Sequence, residues 1–557
     1  MRRVIRVALF ALLSLLIAGS AIPALAVPPT PTSFRLAANG SGNTSLRVQW
    51  TWRLGIASYD LEVATDPAFA HLVKQQSVAG SSSRPTGSVI AVSVSGLNNA
   101  TIYRLRVRAR TGSLTSAWSA ALSAPTTVHW PGVLGGVTAR PGPGIGQITV
   151  RWTSDGTYTT GFNVETALTM FGRNTSGLPR YGRQQNVFRL NRTARSLILS
   201  SAQVAAAGAA VPTGNHLYVR VFAINWGTAG NHISQSTLLG VRPRPDAPAL
   251  SGAKIRVASF NVLTATSTSH SWLKRAPAVA RQIVVEDPGI AALQELTPGR
   301  ADGKAGSTSS SHPRQTDSLL RALRANGGSR YHLVRTTPYV KPGTPSGIQG
   351  ARILYDTTKY KLLTSCKNSS SGGNYSSSCS IRLPIASGES ESTRRRAAYA
   401  EFSNIATGKR FFFVSAHLSW TSSTKYSTLQ RYNTLRRDQA ATIASFIDRL
   451  NTGDEQVIIA GDTNSWQTKS VGNGPHDYLV QHGYYDASAA VRAVNLKYET
   501  ANHFQTTQTA SPQSYANQVD MIFVKGSTGA TLFENVTKRV NSARPSDHNL
   551  VYADLVL

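Results

Sequence analysis

The chain ends in ARPSDHNLVYADLVL, which sets Asp547 and His548 in a run of turn formers just before an apolar strand. Five earlier apolar runs carry a polar residue of a different type at one end. SFNVL has Asn261, LQEL has Glu295, SAHLSW has His417, AGDTNSW has Asp462 and Asn464, and QVDMIFV has Asp520. Taken singly, each is bland: a histidine after a strand is usually a surface or core residue, and Gly-Asp-x-Asn is often only a turn. Together they form a set, because strand ends that converge on one sheet edge build a common site.

The residue types fit one reaction, hydrolysis of a phosphodiester. That chemistry needs a hard cation on the phosphate oxygens, a group that orients water, and donors for the charge that develops. Glu295 and Asp547 are hard oxygen ligands suited to Mg2+ or Ca2+. Asp462 and Asn464 point the same way in an extended chain, so the carboxylate can position water while the amide donates to phosphate. Asp520 can orient and charge-stabilise His548, and His417 can donate to phosphate or to the leaving oxygen. A Ser-His-Asp esterase would want a G-x-S-x-G elbow and a zinc protease an H-E-x-x-H helix; neither occurs.

The segments that must position these residues have mixed α and β grammar from Lys254 onward. IRVASFNVL, PGIAALQEL, KRFFFVSAHLSW and EQVIIAGDTNSW read as buried strands, and WLKRAPAVARQIVVE has helical apolar spacing. In STLQRYNTLRRDQAATIASFIDRL the residues Leu429, Tyr432, Leu435, Ile443, Phe446, Ile447 and Leu450 fall along one helical face. Strands with polar ends and helices outside them describe a layered α/β sandwich.

Residues 28 to about 245 have a different, all-β grammar. LRVQWTW, YDLEVA and IYRLRVRAR are followed by QITVRW, FNVETA and LYVRVFAIN, with Gly, Ser, Asn and Pro between them. The plan repeats: Trp50 then Trp152, Tyr59 then Phe162, Tyr103 then Tyr218. VRPRPDAPALSGA is a proline-rich linker. At the N-terminus, MRRVIR, an apolar VALFALLSLLIAG and a small-residue ALA read as a signal peptide over 1–26, so export is expected. The apolar run is short of the roughly 20 residues that a membrane span needs, and no transmembrane segment is expected in the mature chain. Cys366 and Cys379 flank a Ser/Gly/Asn stretch and are expected to form one disulfide there.

The formal charge is +31, with Lys and Arg at 58 against Asp and Glu at 27, and implies a polyanionic partner or surface. Residues 1–250, signal segment included, carry 23 Lys and Arg against 6 Asp and Glu, so +17 of the excess lies in that half. In RLRVRAR the side chains of Arg104, Arg106, Arg108 and Arg110 line one face of a strand. That face is either an ordinary solvated one or an accessory stripe for an anionic wall polymer or other polyanion.

Two resemblances follow from these residues. The β modules resemble fibronectin type III domains, at 28–128 and 129–243, through the early Trp and the later LYVRVFAIN-type strand with its tyrosine corner; 244–253 is then the linker. Such modules are usually spacers or adhesion units, and removing them is expected to leave turnover intact. The C-terminal set, in its order from Asn261 to His548, resembles the endonuclease/exonuclease/phosphatase family over 254–557. The whole chain is then a multidomain protein: two all-β sandwiches followed by a four-layer α/β sandwich like that of deoxyribonuclease I. The resemblance implies a monomeric hydrolase using Mg2+ (Ca2+ or Mn2+ as alternatives), with Asn261, Glu295 and Asp547 at the metal. It also implies water activation by Asp462 with Asn464, an Asp520–His548 pair, His417 on phosphate or leaving group, and a phosphate arginine in STRRRAAYAEF, either Arg395 or Arg396. Nucleic acid is the expected substrate of a secreted enzyme. A sphingomyelinase or phospholipase C-type enzyme is the first alternative, which an exposed aromatic cluster at Trp420 and Trp466 would favour, and an inactive adhesion protein is the second.

Overall fold

Alternating apolar strands dominate the first 245 residues, and each repeat closes its apolar face by stacking two sheets. The computed structural model describes residues 26–81, 84–85, 87–168, 170–173, 179–181, 186–246, 254–334, 350–366, 379–527 and 529–556. The signal segment, apart from Ala26, and residues 247–253 of the linker lie outside these. No described helix is long and apolar enough to cross a membrane.

The two all-β units repeat one core. Each has a three-stranded and a five-stranded sheet, and in the first Trp50 packs 5.3 Å from Tyr59, while in the second Trp152 packs 5.5 Å from Phe162. Tyr103 makes the tyrosine corner: its hydroxyl accepts the Asn98 N–H at 2.8 Å. Its positional counterpart Tyr218 instead faces the C-terminal unit. Three of the four arginines of the stripe are internally paired. Arg106 pairs with Glu62 at 2.7 Å, Arg108 and Arg110 both pair with Asp60 at 3.0 Å, and Arg106 and Arg108 stack on Trp118.

The C-terminal unit has two seven-stranded sheets packed face to face, with helices on both outer faces. Six strands carry the site: β1 (Lys254–Asn261), β2 (Ile290–Gln294), β3 (Arg410–His417), β4 (Gln456–Asp462), β5 (Asp520–Lys525) and β6 (Val551–Val556). In one sheet β1 lies between parallel β2 and antiparallel β6; in the other, β4 lies between parallel β3 and antiparallel β5. The shared core holds Val257, Ile290, Phe411, Phe413, Ile458 and Ile522, all fully buried, which is why these strands are near-continuously apolar. Outside, α1 (Trp272–Glu286) buries Trp272, Val279 and Ile283, and α2 (Tyr426–Leu450) buries Leu435, Ile443 and Ile447. Leu450 is exposed, and Arg436 and Gln439 take core positions on α2 instead. Cys366 and Cys379 are disulfide-bonded.

The second β unit is fastened to the C-terminal unit by buried hydrogen bonds. Gln467 accepts from the His216 N–H at 3.0 Å and donates to the carbonyls of Leu168 at 2.7 Å and His216 at 2.6 Å. The Arg242 guanidinium donates to the carbonyls of Ser488, Ala490 and Val491, and His216 stacks on Tyr515 at 3.7 Å. His476 bonds the Thr213 carbonyl at 2.7 Å; burial opposes its charge, but Asp477 and Asp486 raise its pKa to about 10. A simple spacer would not need this contact set. The second module is therefore packed against the C-terminal unit and not joined to it by the linker alone.

Candidate active site

Strand register brings the polar ends together. Asn261 lies opposite Gln294, the residue before Glu295, and Asp462 lies opposite both His417 on β3 and Asp520 on β5. Gly461 makes the β3–β4 approach possible, since a Cβ there would sit 2.0 Å from the Ala416 carbonyl oxygen. Between the sheets, the Asn261 amide nitrogen donates to Glu295 Oε1 at 3.2 Å and to Asp462 Oδ2 at 3.1 Å. One amide thus ties a carboxylate of the first sheet to a carboxylate of the second.

Glu295 turns out of β2 with φ of 60°, a left-handed conformation that costs a non-glycine residue and is typical of functional sites. Its Oε2 accepts the Thr264 N–H, and Gly350 packs so close that a Cβ would meet the Glu295 Cα at 2.6 Å. Asp547 is held by its backbone: its carbonyl accepts from Asn502 and His503, and the preceding Ser546 hydroxyl donates to the Asn261 carbonyl at 2.7 Å. Arg275 on α1 ties the loop after Asn261 to the loop before Asp547, donating to the carbonyls of Val262 at 2.6 Å and Pro545 at 3.0 Å. Burial lowers the Arg275 pKa to about 10 while the charges of Asp547 and Glu295 oppose that fall, so both carboxylates act on one buried guanidinium.

The other half is an imidazole–carboxylate cluster. His548 Nδ1 donates to Asp520 Oδ2 at 2.8 Å, and its Nε2 lies 3.9 Å from Asp462 Oδ2. Burial opposes charge on His548, but Asp520 outweighs it and holds the pKa well above the usual histidine value. Asp462 is pushed up to about 6, chiefly by burial, with His548 opposing and Asp520 adding to the rise. His417 is the opposite case: burial, then the charges of Arg395 and His548, hold it neutral. Arg395 Nη1 lies 2.7 Å from His417 Nδ1, and because a guanidinium only donates, the histidine proton sits on Nε2, 3.5 Å from Asp462. Of the two arginines weighed from sequence, Arg395 reaches the site; Arg396 follows it in an extended strand, alternates to the other face and pairs in register with Arg382.

Asn464 differs from its expected posture. β4 ends at Asp462 and Asn464 has φ of 51°, so the two side chains are not on one extended face. Its N–H donates to Asp462 Oδ1 at 2.9 Å, and its amide donates to the Leu418 carbonyl at 3.0 Å. An aspartate at a strand end closes such a turn on its own backbone, which is why the extended reading fails here. Asn464 thus supports Asp462 through its N–H, and its amide shapes the loop.

Asp462, Asp520 and His548 could also be read as a metal cage, since their ligand atoms lie within 4.8 Å of one another. The raised pKa of His548 favours a proton on this group over a metal ion. The hard oxygens of Glu295 and Asp547 suit a divalent cation better. Asn261, placed at the metal from sequence, turns its nitrogen to the carboxylates while its oxygen accepts the Leu263 N–H at 3.1 Å. It thus bridges Glu295 and Asp462 and keeps a second oxygen lone pair.

Several supporting residues carried no signal in the sequence. Thr500 is fully buried and accepts the N–H groups of Val519 and Asp520, setting the start of β5. Buried Arg436 donates to the Ser419 carbonyl at 3.0 Å; burial lowers its pKa to about 10, and Asp462 opposes that. Lys469 donates to the Asn464 carbonyl at 2.9 Å and lies 4.1 Å over the Trp466 ring; burial, then Arg436, lowers its pKa to about 7.

The sequence model of the Endonuclease/Exonuclease/phosphatase family matches residues 258–548, just over half of the chain and the whole of this site. The chain belongs to that family. Its C-terminal unit is therefore a hydrolase of phosphoric esters of the phosphodiesterase and nuclease type, in a family whose enzymes depend on divalent metals. An endonuclease/exonuclease/phosphatase structure from Bacteroides vulgatus is similar at 19% identity over 55% of this chain and 99% of that one, with a TM-score of 0.40. The human Nocturnin catalytic domain is similar at 14% identity over 56% and 96%, and truncated Caenorhabditis elegans TDP2 at 16% over 56% and 100%, each with a TM-score of 0.34. No curated protein matches the chain.

Proposed function

We propose that this family member is an exported, divalent-metal-dependent nuclease that hydrolyses the phosphodiester backbone of nucleic acid by in-line attack of water. The observation that carries the reading is the Asp462 environment: a buried carboxylate with a pKa of about 6, bridged by Asn261 to Glu295 and faced by His417 and His548. A base works best when its pKa lies near the working pH. Asp462 takes the proton of the attacking water, with the Asn464 N–H holding its other oxygen. His548, kept charged by Asp520, stabilises the negative charge that builds on the phosphoryl oxygens, and neutral His417 donates to them through Nε2. Glu295 and Asp547 would hold a divalent cation, which when bound supplies positive charge to the phosphate and leaving oxygens. Arg395 keeps the His417 tautomer in place and adds a positive charge beside it.

Nucleic acid is favoured over a lipid headgroup by two features. The chain carries +31, as a polyanion substrate wants. The aromatic cluster that a lipid enzyme would use is not formed: Trp420 is 61% exposed, but Trp466 lies under Lys469. Export rests on the N-terminal pattern and is tested by sequencing the mature N-terminus from culture medium, where a start near Val27 is expected. Activity is tested by incubating purified protein with plasmid DNA, RNA and sphingomyelin, each with Mg2+, with Mg2+ plus Ca2+ and with EDTA. EDTA-sensitive loss of nucleic acid with intact lipid supports the proposal; cleavage of lipid alone would replace it with the phospholipase reading.

A further inference from the structure

Beside the catalytic cluster, and not part of it, lies a cavity of about 470 Å3 between the second β unit and the C-terminal unit. Its size is within the roughly 300–1,000 Å3 usual for small-molecule sites. It adjoins the catalytic edge at three points: Ala501 pairs with His548 in an antiparallel bridge, Thr468 belongs to the loop that follows Asn464, and Asn517 comes three residues before Asp520. Tyr218, contributed by the second β unit, lines it together with Tyr515.

The chemistry of the lining is selective. In a chain of charge +31, no lysine or arginine among the described residues lines this cavity. Its walls combine amide and hydroxyl side chains, two tyrosines, small apolar residues and one carboxylate, Glu499. Glu499 Oε1 accepts from the Asn517 amide at 2.8 Å, and the Asn517 oxygen accepts from the Thr468 hydroxyl at 2.9 Å. A phosphate would meet a carboxylate with no cation to balance it. An uncharged ring with its own N–H donors would meet amide acceptors, the Glu499 carboxylate and aromatic walls.

We propose that this cavity is a subsite for a nucleoside, taking the base and sugar next to the phosphate held at the catalytic cluster. The proposal rests on the nuclease reading above and adds a role for the second β unit, which supplies one wall of the subsite. Substrates with a nucleoside on that side gain binding that a bare phosphodiester cannot.

Two arms test it on the full chain. In the first, calorimetric titration with the four uncharged nucleosides and with ribose detects binding without any turnover. Millimolar-range binding of at least one nucleoside, abolished in Ala510→Trp and Thr509→Trp, which fill the cavity, is expected; no nucleoside binding overturns the subsite whether or not the enzyme is active. In the second, thymidine 5′-(p-nitrophenyl phosphate) is compared with bis(p-nitrophenyl) phosphate. The filling variants should lose at least tenfold in kcat/KM on the nucleoside ester and stay within twofold on the bare ester, which also shows that they are folded. An equal effect on both esters refutes the subsite. Absent hydrolysis of every phosphodiester, with nucleoside binding intact, would count against the nuclease reading and leave the subsite standing.

Discussion

Replacing Asp520 with Asn removes one charge from beneath the His548 ring at almost constant volume. Asp520 is fully buried and its Oδ2 lies 2.8 Å from His548 Nδ1. Removing one partner of a buried ion pair costs about 3–5 kcal/mol. The D520N protein can escape most of that cost at neutral pH by releasing the His548 proton, so the damage moves from stability to chemistry. If His548 acts as a cation in the transition state, the same free energy reappears in the barrier, a loss of about 10²- to 10⁴-fold in kcat. The stability sign is separate. A histidine pKa raised in the folded state stabilises fully below the unfolded value of ~6.5 and stops doing so as the pH climbs through the folded value. The gap in unfolding free energy between wild type and D520N should therefore be widest below about pH 6.5 and shrink above it. The assay is steady-state hydrolysis of a defined oligonucleotide between pH 5 and 9, with urea unfolding at the same pH values. A D520N enzyme within threefold of wild-type kcat, with an unchanged stability curve, would refute the reasoning.

The remaining predictions are shorter. Wild-type kcat/KM should rise with pH through about 6, where Asp462 loses its proton, and a flat profile from pH 5 to 7 would exclude Asp462 as the base. Glu295→Gln and EDTA should each abolish hydrolysis while circular dichroism stays native; a collapsed spectrum would mean that Glu295 is structural. Gln467→Ala leaves three buried backbone groups of the second β unit unpaired, and at about 1–3 kcal/mol for each such group it should lower urea stability by roughly 3 kcal/mol or more. Deleting residues 129–243 should cost solubility and turnover, whereas deleting 27–128 should leave kcat within twofold. His216, held at a pKa of about 3 by burial and then by Arg242, binds a proton in the unfolded chain first, so stability should fall as the pH drops from ~6.5 towards 3. His216→Gln should reduce that slope by up to about 1.4 kcal/mol per pH unit.

Much of the candidate site was legible because each of its residues sits near the end of its own apolar strand, and a strand writes its ends locally. SFNVL, LQEL, SAHLSW, AGDTNSW, QVDMIFV and SDHNLV each place a side chain without reference to the rest of the chain. The repeated Trp-aromatic plan announced the two β units for the same reason: the core pairs Trp50–Tyr59 and Trp152–Phe162 lie on neighbouring stretches of sequence. Where local geometry broke from the strand, the reading failed. The spacing places Asn464 on an extended face with Asp462, whereas its left-handed backbone turns its amide to the Leu418 carbonyl.

By itself, the sequence determined which chemistry the chain can perform, because residue types and strand-end positions are properties of short segments. It also determined the order of the units, since period-two and mixed patterns change at Lys254. Only the tertiary structure decided which atoms meet. Asn261 as a bridge between Glu295 and Asp462, Arg395 rather than Arg396 beside His417, and Arg275 near both Glu295 and Asp547 all join segments far apart in the chain. The arginine stripe shows the same limit: charge alternation was visible, but only the fold set Glu62, Asp60 and Trp118 against it. The fastening of the second β unit through Gln467 and Arg242 was equally unreadable, because a glutamine in a loop signals nothing until the surface it is buried against exists.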